Sequence, residues 1–255
     1  MKRQVSVSVV FPAFNEEENL ERVVNDARNF LTETVADYRI VVVNDGSTDR
    51  TADVAQLLSR EDQAHMLVVT HEVNRGYGAA VRSGLSAAAQ TGSDWVVLLD
   101  ADGQFDIREL DLLLDIAGDR GIDLVAGHRT HRADSTVRKL NAWLWSTTSR
   151  LLLGIRVHDV DCAFKLINRR VLETITLQGE AAVVSPELLA KTARTGFTIA
   201  EVPVSHFPRQ AGEQSGANLR VIARSLIGLV RLRLQLIQPQ PSHKPERQVK
   251  RAGTR

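Results

Sequence analysis

Short apolar segments that alternate with helical patterns constrain the fold of this chain more than any other feature of its sequence. Five such segments are rich in β-branched residues and bounded by polar turn residues, and they lie at 5–11, 39–43, 66–70, 94–99 and 123–127. Strands that are apolar along almost their whole length and are separated by helices belong to parallel sheets covered on both faces. The sequence therefore predicts an α/β fold with a mostly parallel central sheet flanked by helices.

The residues between these segments show the apolar spacing of helices. Apolar residues recur at intervals of three and four over 20–31 and again over 110–117, which is the pattern of a helix with one buried face. Asn15 is a candidate N-cap for the first helix, and Glu18, three residues later, completes a capping box. Beyond residue 130 the pattern predicts helices at 137–153, 186–195 and 219–236 and short strands at 161–167 and 199–205.

Composition and charge indicate one globular domain with a tail. A hydrophobic content of 43% and a charged content of 25% are ordinary for a soluble protein, and we assign residues 1–237 to a single domain. Residues 238–255 are rich in proline, glutamine and charge, so they have little to bury and are predicted to form a disordered basic tail. Five basic residues and one acidic residue give this tail a formal charge of +4, which leaves −3 for the domain. The net charge of +1 does not indicate a nucleic-acid partner.

Cysteine usage and hydropathy bear on the cellular compartment. Cys162 is the single cysteine, which excludes an internal disulfide framework and suits a reducing compartment. No segment approaches the roughly 18 apolar residues that cross a bilayer, so we expect a cytoplasmic protein whose membrane contact is peripheral. The helices at 137–153 and 219–236 mix apolar and basic residues, a pattern compatible with a membrane interface, core packing or dimerisation. Attraction of the basic tail to anionic lipid favours the interface.

The strongest functional signal is the sequence DADGQ, which follows the fourth predicted strand. Residues i and i+2 of an extended chain point to the same side, so Asp100 and Asp102 converge, and adjacent carboxylates repel unless a proton or a cation lies between them. A hard divalent ion with oxygen ligands fits this need, and Gln104 supplies a further oxygen nearby. A turn whose carboxylates only cap the next helix is the alternative. Ligands of open α/β sheets bind at the carboxyl ends of the strands, which favours the metal.

Two further segments lie at the same predicted edge of the sheet. Asp45 is the first carboxylate after the second strand, where it can accept hydrogen bonds from a base or a ribose, whereas Asp49 is interpreted as a helix cap. In NRGYGAA, Gly76 and Gly78 open a helix and permit close approach of an anionic group. No GK[ST] follows, so this is not a Walker motif, and a plain helix entry explains the glycines equally well.

Taken in order, several segments of the chain resemble the family-two glycosyltransferases of the GT-A fold. These segments are FPAFNEEENL, VVVNDGSTDRT, NRGYGAAVRSG, DADGQF, GHR and HFPRQAG. The resemblance covers about residues 5–235 and is strongest to the dolichyl- and polyprenyl-phosphate mannosyl- and glucosyltransferases. It implies an inverting enzyme that moves a hexose, mannose or glucose, from a GDP- or UDP-linked sugar to a polyprenyl or dolichyl phosphate at the membrane surface.

The resemblance also implies roles for individual residues. The equivalents that line the nucleotide-sugar pocket are Pro12, Ala13, Phe14, Glu16, Asp45, Asp100 and Ala101. The equivalents that bind Mg²⁺ or Mn²⁺ are Asp100, Asp102 and Gln104. The catalytic equivalents are Asp102, then Arg129 and Arg138, which match arginines that hold the acceptor phosphate, and Arg209, which matches a basic residue on a loop over the donor. The chain departs from the family near Ala142, where a serine is common, and in GEQSGAN, which lacks a usual lysine.

Three alternatives remain open from the sequence. A glycosyltransferase with a hydroxyl acceptor needs a general base, and Asp159 and Asp161 are the candidates, although both are also ordinary turn residues. A metal-dependent nucleotidyltransferase would usually carry a basic, glycine-rich loop after the first strand, where this chain has the acidic FPAFNEEE. A catalytically silent module that only binds sugar nucleotides is disfavoured because the chain retains Asp100, Asp102 and Arg209.

Overall fold

The computed structural model describes residues 2–130, 136–209, 211 and 219–237, and of 136–142 and 219–224 the backbone alone. The strands of the described residues are β1 (Arg3–Ala13), β2 (Val35–Asn44), β3 (Met66–Thr70), β4 (Trp95–Leu98), β5 (Leu124–Arg129), β6 (Lys165–Asn168) and β7 (Ile199–Val204). The α-helices are α1 (Leu20–Thr34), α2 (Thr51–Glu61), α3 (Tyr77–Gln90), α4 (Leu110–Arg120), α5 (Thr136–Leu153), α6 (Arg169–Thr174), α7 (Val184–Arg194) and α8 (Leu219–Ile237).

The strands form one sheet in the order β3-β2-β1-β4-β6-β5-β7. All neighbours are parallel except β6, which runs antiparallel to both β4 and β5. Because β1 to β4 are parallel, their carboxyl ends lie at one edge, where Ala13 is opposite Asn44 and Asn44 is opposite Thr70. This confirms the predicted α/β fold and brings the polar motifs of the sequence to one edge of the sheet.

Alternation of side chains along the strands separates two cores, one on each face of the sheet. On one face Val9 lies in a cluster with Leu20 of α1 and Leu110 of α4. On the other face Val10, the next residue along β1, lies in a cluster with Leu85 of α3. Burial on both faces explains why the strands read as continuous apolar runs rather than as an alternating pattern.

The predicted helices and strands are present, with bounds that shift by a few residues. The strand predicted at 161–167, for example, begins only at Lys165. The residues before it form a turn in which Cys162 N donates to Asp159 O at 3.4 Å, so Asp159 and Asp161 are turn residues, as the sequence pattern indicated.

The predicted capping box at Asn15 is wrong. Helix α1 begins at Leu20, with Asn19 at the N-cap position. Asn15 has a φ of 56°, and its Oδ1 accepts from Thr48 N at 2.9 Å. The side chain of Asn15 therefore joins the loop after β1 to the loop after β2 instead of capping a helix, because the intervening residues form a turn at the edge of the sheet.

Of the expectations about the tail and the membrane, the described residues bear only on the second. The tail predicted at 238–255 lies outside them. Within them, no helix combines the length and the apolar character needed to cross a bilayer.

Candidate active site

Four loops at the carboxyl edge of the sheet bring most of the predicted site residues together. They follow β1, β2, β4 and β7 and cover 14–19, 45–50, 99–106 and 205–209 together with Ala211. Hydrogen bonds between loops fix their positions; Asn15 N, for example, donates to Ser47 Oγ at 3.1 Å. The carboxylate of Asp49 accepts from Thr51 N and from Glu17 N, so Asp49 holds two loops, in agreement with its interpretation as a structural residue.

Asp100 and Asp102 lie on the loop that follows β4. Leu99 N donates to Val10 O at 3.0 Å, which fixes the start of this loop against β1, and Asp102 Oδ1 accepts from Gln104 N at 3.0 Å. Oδ1 of Asp100 is buried and has no hydrogen-bond partner among the described residues. A buried carboxylate oxygen without a donor is costly, so this atom marks a position for a ligand.

The electrostatics of the pair identify the kind of ligand. Burial and the neighbouring charge of Asp102 raise the pKa of Asp100 to about 7, although Tyr77, Lys165 and Arg129 act in the opposite direction. A divalent cation removes the repulsion between two carboxylates, and the residues present fit Mg²⁺ or Mn²⁺. Within the described residues no three His, Cys, Asp or Glu side chains form a complete metal cage. Mg²⁺ commonly binds to one or two carboxylates together with substrate phosphates.

Gln104 connects the loop after β4 to the loop after β7. Its Nε2 donates to Phe207 O at 2.9 Å, and Phe207 N donates to Gln104 O at 2.8 Å. This orientation of the amide leaves Oε1 as the atom that can face a cation. Gln104 thus has a structural role in addition to the predicted one.

Arg209 lies between two of the predicted carboxylates. Its Nη2 donates to Glu16 Oε1 at 2.6 Å, its Nε donates to Ala211 O at 2.6 Å, and its Nη1 lies 3.9 Å from Asp102 Oδ2. Burial raises the pKa of Glu16, while hydrogen bonds from Asn19 and Arg209 oppose that rise. Glu16 and Arg209, which are 193 positions apart in the sequence, are thereby brought together close to Asp102.

The remaining pocket residues differ in what they can present to a ligand. Pro12 and Ala13 are buried at the end of β1, and Phe14 beyond them is half-buried. Ala101 is 2% exposed, and its side chain packs in the core on the α1 and α4 face. Contact of Ala101 with a nucleotide sugar would therefore involve its backbone.

Asp45 is buried between the end of β2 and the loop 71–76. Its Oδ1 accepts from His71 Nδ1 at 2.6 Å and from Arg75 N at 3.0 Å, and its Oδ2 accepts from Gly76 N at 2.8 Å. His71 Nε2 in turn lies 2.9 Å from Ser83 Oγ. Sequence reasoning singled out Asp45 and missed His71, whose position at the end of a strand was its only signal.

A second group of charged residues lies around the turn before β6. Arg129 donates from Nε to Asp159 Oδ2 at 2.7 Å and from Nη2 to Asp159 Oδ1 at 2.8 Å. This bidentate pair is largely buried, and Asp159 raises the pKa of Arg129. The backbone of Arg138 belongs to α5, but its side chain lies outside the described residues.

Lys165 lies near both groups, since its charge acts on Asp100 and on Asp161, and it was also missed by sequence reasoning. It is fully buried, its Nζ donates to Cys162 O and to Ser185 Oγ at 3.4 Å, and desolvation lowers its pKa. Its positive charge opposes the rise in pKa that burial imposes on Asp161. Oδ1 of Asp161 accepts from Trp145 Nε1 at 2.9 Å. The sequence signal for Lys165 was the presence of a lysine in an otherwise apolar strand.

These features define a class of protein. A strand-end carboxylate pair suited to a divalent cation, an acidic loop after β1 and an arginine from the loop after β7 meet on a mostly parallel sheet, as in nucleotide-sugar transferases of the GT-A fold. The glycosyl transferase family 2 model matches residues 8–176. The polyprenol monophosphomannose synthase of Mycolicibacterium smegmatis is 33% identical over 83% of this chain and 82% of its own length. The chain belongs to glycosyltransferase family 2.

Other relatives agree with this assignment. An undecaprenyl-phosphate 4-deoxy-4-formamido-L-arabinose transferase of Pseudomonas aeruginosa is 30% identical over 85% of this chain, which spans 62% of that relative. The glucosyl-3-phosphoglycerate synthase of Mycobacterium tuberculosis, solved in complex with Mn²⁺ and UDP-glucose, is 25% identical with a TM-score of 0.68, over 94% of this chain and 81% of that one. The predicted family and the GT-A fold are confirmed, and the nucleotidyltransferase and silent-module alternatives are set aside.

Proposed function

We propose that this glycosyltransferase moves glucose or mannose from a UDP- or GDP-linked sugar to a polyprenyl or dolichyl phosphate, with inversion, at the cytoplasmic face of a membrane. The observation that carries the choice of acceptor is the bidentate pair of Arg129 and Asp159. In this pair the carboxylate of Asp159, one of the candidate general bases, is bonded to Arg129. The buried guanidinium of Arg129 is thereby oriented near Asp100, on whose pKa its charge acts. The acceptors named for two relatives, polyprenol and undecaprenyl phosphate, support the same class.

On the donor side, the chain's own residues hold the nucleotide diphosphate. Mg²⁺ or Mn²⁺ bound by Asp100, Asp102 and Gln104 would supply charge stabilisation to the departing diphosphate. Arg209 adds a fixed positive charge at the same place, because Glu16 and Ala211 orient its guanidinium. Positioned charges of this kind stabilise a transition state more than mobile water does.

On the acceptor side, a lipid phosphate needs cations rather than a base. The second pKa of a phosphate monoester is about 6, so at neutral pH the acceptor arrives largely as a dianion. One of its oxygens forms the bond to the anomeric carbon while the bond from that carbon to the diphosphate breaks. The electron pair leaves with the nucleoside diphosphate and the configuration inverts. Arg129 Nη1, which is not engaged by the Asp159 pair, and Arg138 are assigned to hold the phosphate.

A surface formed by α5 and α8 supports peripheral membrane contact. The two helices pack side by side, and together they contain seven basic residues and no acidic residue. Their exposed apolar side chains are Trp143, Leu144, Leu151, Leu226, Ile227, Val230, Leu234 and Ile237. We call this surface the α5–α8 face. Apolar side chains among basic ones match the interface of an anionic bilayer, which is where a polyprenyl phosphate presents its head group.

The acceptor class is tested by replacing the two kinds of candidate residue. Arg129→Ala is expected to reduce transfer to polyprenyl phosphate by about 100-fold, the scale of a lost charge-assisted bond at 1.5–3 kcal/mol, while donor affinity stays within about twofold. Arg138→Ala is expected to act in the same direction. Asp161→Asn is expected to retain most activity, because no proton has to be removed and the amide oxygen still accepts from Trp145. Rates and nucleotide affinities are measured for each variant.

Arg120→Ala serves as the matched control, since Arg120 is an exposed arginine at the far end of α4. The competing function is transfer to a hydroxyl, for which Asp161 is the better base because burial raises its pKa. Loss of transfer in Asp161→Asn at intact donor affinity, together with an active Arg129→Ala, would assign the enzyme to a hydroxyl acceptor instead.

A further inference from the structure

The hydrogen bonds around Asp45 leave it little freedom in what it can bind. A carboxylate offers about four acceptor positions, two on each oxygen. Both positions on Oδ1 are occupied, by His71 Nδ1 and by Arg75 N, and one position on Oδ2 is occupied by Gly76 N. Within the part of the chain that the structure describes, Asp45 therefore has one acceptor position left, and it is on Oδ2.

The backbone around this contact is fixed at both Asp45 and His71. Asp45 N donates to Ala13 O at 2.9 Å, and His71 N donates to Asn44 O at 2.9 Å, so both ends of the contact are fixed to strands. Gly46 has a φ of 66°, and a Cβ at Gly46 would collide with the backbone of Val73. The loop 71–76 thus rests directly on the residue after Asp45.

His71 is the side chain that occupies the last position on Oδ1. A carboxylate only accepts hydrogen bonds, so His71 Nδ1 carries the proton that it donates to Asp45. The other ring nitrogen, Nε2, is held by Ser83 Oγ at 2.9 Å. Because the ring is anchored at both nitrogens and is buried, it keeps Oδ1 occupied whether or not a nucleotide is bound.

We propose that His71 is a positioning residue that selects a uridine over a guanosine diphosphate donor, by leaving Asp45 a single acceptor for the base. This rests on the proposed nucleotide-sugar function and on the assignment of Asp45 to the base pocket. Uracil presents one ring N–H, at N3, which one acceptor on Oδ2 satisfies. Guanine presents two adjacent donors, N1–H and the N2 amino group, which match both oxygens of a free carboxylate. With Oδ1 occupied, one guanine donor is desolvated without a partner, and unpaired buried donors are penalised.

The test is the ratio of affinities for UDP and GDP, measured by calorimetry on the full chain in Mn²⁺. The wild type is expected to bind UDP about tenfold or more tightly than GDP, the effect of one unpaired donor. His71→Leu removes the donor to Oδ1 and is expected to lower this ratio by about fivefold or more, because the freed position can meet the second guanine donor. A residue that only stabilised the fold would change both affinities alike and leave the ratio unchanged.

Two further variants keep the test interpretable. His71→Asn places an amide N–H near the position of Nδ1 and is expected to keep the wild-type ratio. Ser83→Ala, the matched control, removes the far anchor of the ring but not the bond to Asp45, and it too is expected to keep the ratio. Thermal unfolding of each variant checks that it is folded, and the wild-type ratio tests the proposal even without the variants.

The proposal is overturned by a wild type that binds GDP as tightly as UDP, or by a His71→Leu variant whose two affinities fall by the same factor. Because binding of a nucleoside diphosphate needs no acceptor, this outcome is separate from that of the proposed function. A UDP preference without transfer to polyprenyl phosphate supports the role of His71 and removes the acceptor assignment. A preference for GDP together with efficient transfer to polyprenyl phosphate overturns the role of His71 and supports the acceptor assignment.

Discussion

Among single residues, Asp100 has the environment that most clearly departs from that of an ordinary surface carboxylate. Its Oδ1 is buried without a partner, and burial together with the charge of Asp102 raises its pKa to about 7. Both properties are unfavourable for a metal-free protein and favourable for one that binds a divalent cation. We therefore expect the stability of the fold to depend on whether a cation is bound at Asp100.

This link predicts a pH dependence of stability in the absence of metal. Between the ordinary value of 3.8 and about 7, folded Asp100 retains a proton that the unfolded chain has lost. Protonation therefore favours the folded state in this window, and the free energy of unfolding falls as the pH rises through it. In EDTA, the melting temperature of the wild type is expected to fall relative to that of Asp100→Asn between about pH 4 and about pH 7.

Adding Mn²⁺ at the upper end of this pH range is expected to raise the melting temperature of the wild type and not that of Asp100→Asn. A difference between the two proteins that stays constant across the range, with no effect of the metal, would contradict the account of Asp100.

The sequence predicted where the candidate site residues at strand ends would lie better than it predicted which residues they contact. Asp45, Asp100 and Asp102 follow apolar runs, and this position alone indicated a role at the edge of the sheet. Neither the pairing of Arg129 with Asp159 nor the contact of His71 with Asp45 could be predicted, because each depends on how separate loops approach one another in three dimensions. Sequence spacing carries no signal for such contacts.

Among the structural elements, α5 and α8 depart furthest from the rule that exposed helix faces are polar and mixed in charge. Their inner residues, such as Leu153 and Leu229, pack in the core of the protein. Their outer residues form the α5–α8 face, where Leu151 is 81% exposed. Apolar surface of this extent in a soluble protein usually marks an interaction site, and the absence of acidic residues favours an anionic partner.

We therefore predict that the protein binds vesicles containing anionic phosphatidylglycerol and is released by high salt, which screens the basic residues. Leu151→Asp and Val230→Asp are each expected to weaken vesicle binding by about tenfold or more, since a fully buried Leu or Val contributes about 1.5–3 kcal/mol. Vesicle flotation measures the binding. Activity on a short-chain, water-soluble polyprenyl phosphate is expected to be unaffected.

Leu57→Asp is the control for this prediction, because Leu57 is an exposed leucine on α2, away from the α5–α8 face. Equal loss in the control, or a stable dimer that buries the α5–α8 face and binds no vesicles, would show that the face has another partner.

The elements themselves were predicted more completely than their arrangement. Apolar runs and helical spacing located the strands and helices because burial on both faces of a sheet leaves a direct trace in the sequence. The antiparallel direction of β6 could not be predicted, since a short apolar strand has the same sequence pattern in either direction. The cap at Asn15 was wrong because an asparagine that joins two loops has the same local sequence as one that caps a helix.

At the scale of the whole molecule, the site exists only when the sheet is complete. Glu16, Asp102 and Arg209 come from loops after three different strands and meet only at the shared carboxyl edge. The end of β5 lies at the same edge and carries Arg129, one of the cations assigned to the acceptor. Donor and acceptor groups are thus held on one rigid scaffold, as transfer between two anionic phosphates requires.

The most direct test of this account is a product assay with labelled UDP- and GDP-linked glucose and mannose. Each donor is combined with polyprenyl phosphate or with a soluble hydroxyl acceptor, with and without EDTA. We expect label in the polyprenyl phosphate only when metal is present. We also expect Asp102→Asn to be folded but nearly inactive, because a neutral amide replaces a charged ligand. Transfer that EDTA leaves undiminished, or label that reaches only the hydroxyl acceptor, would contradict the account.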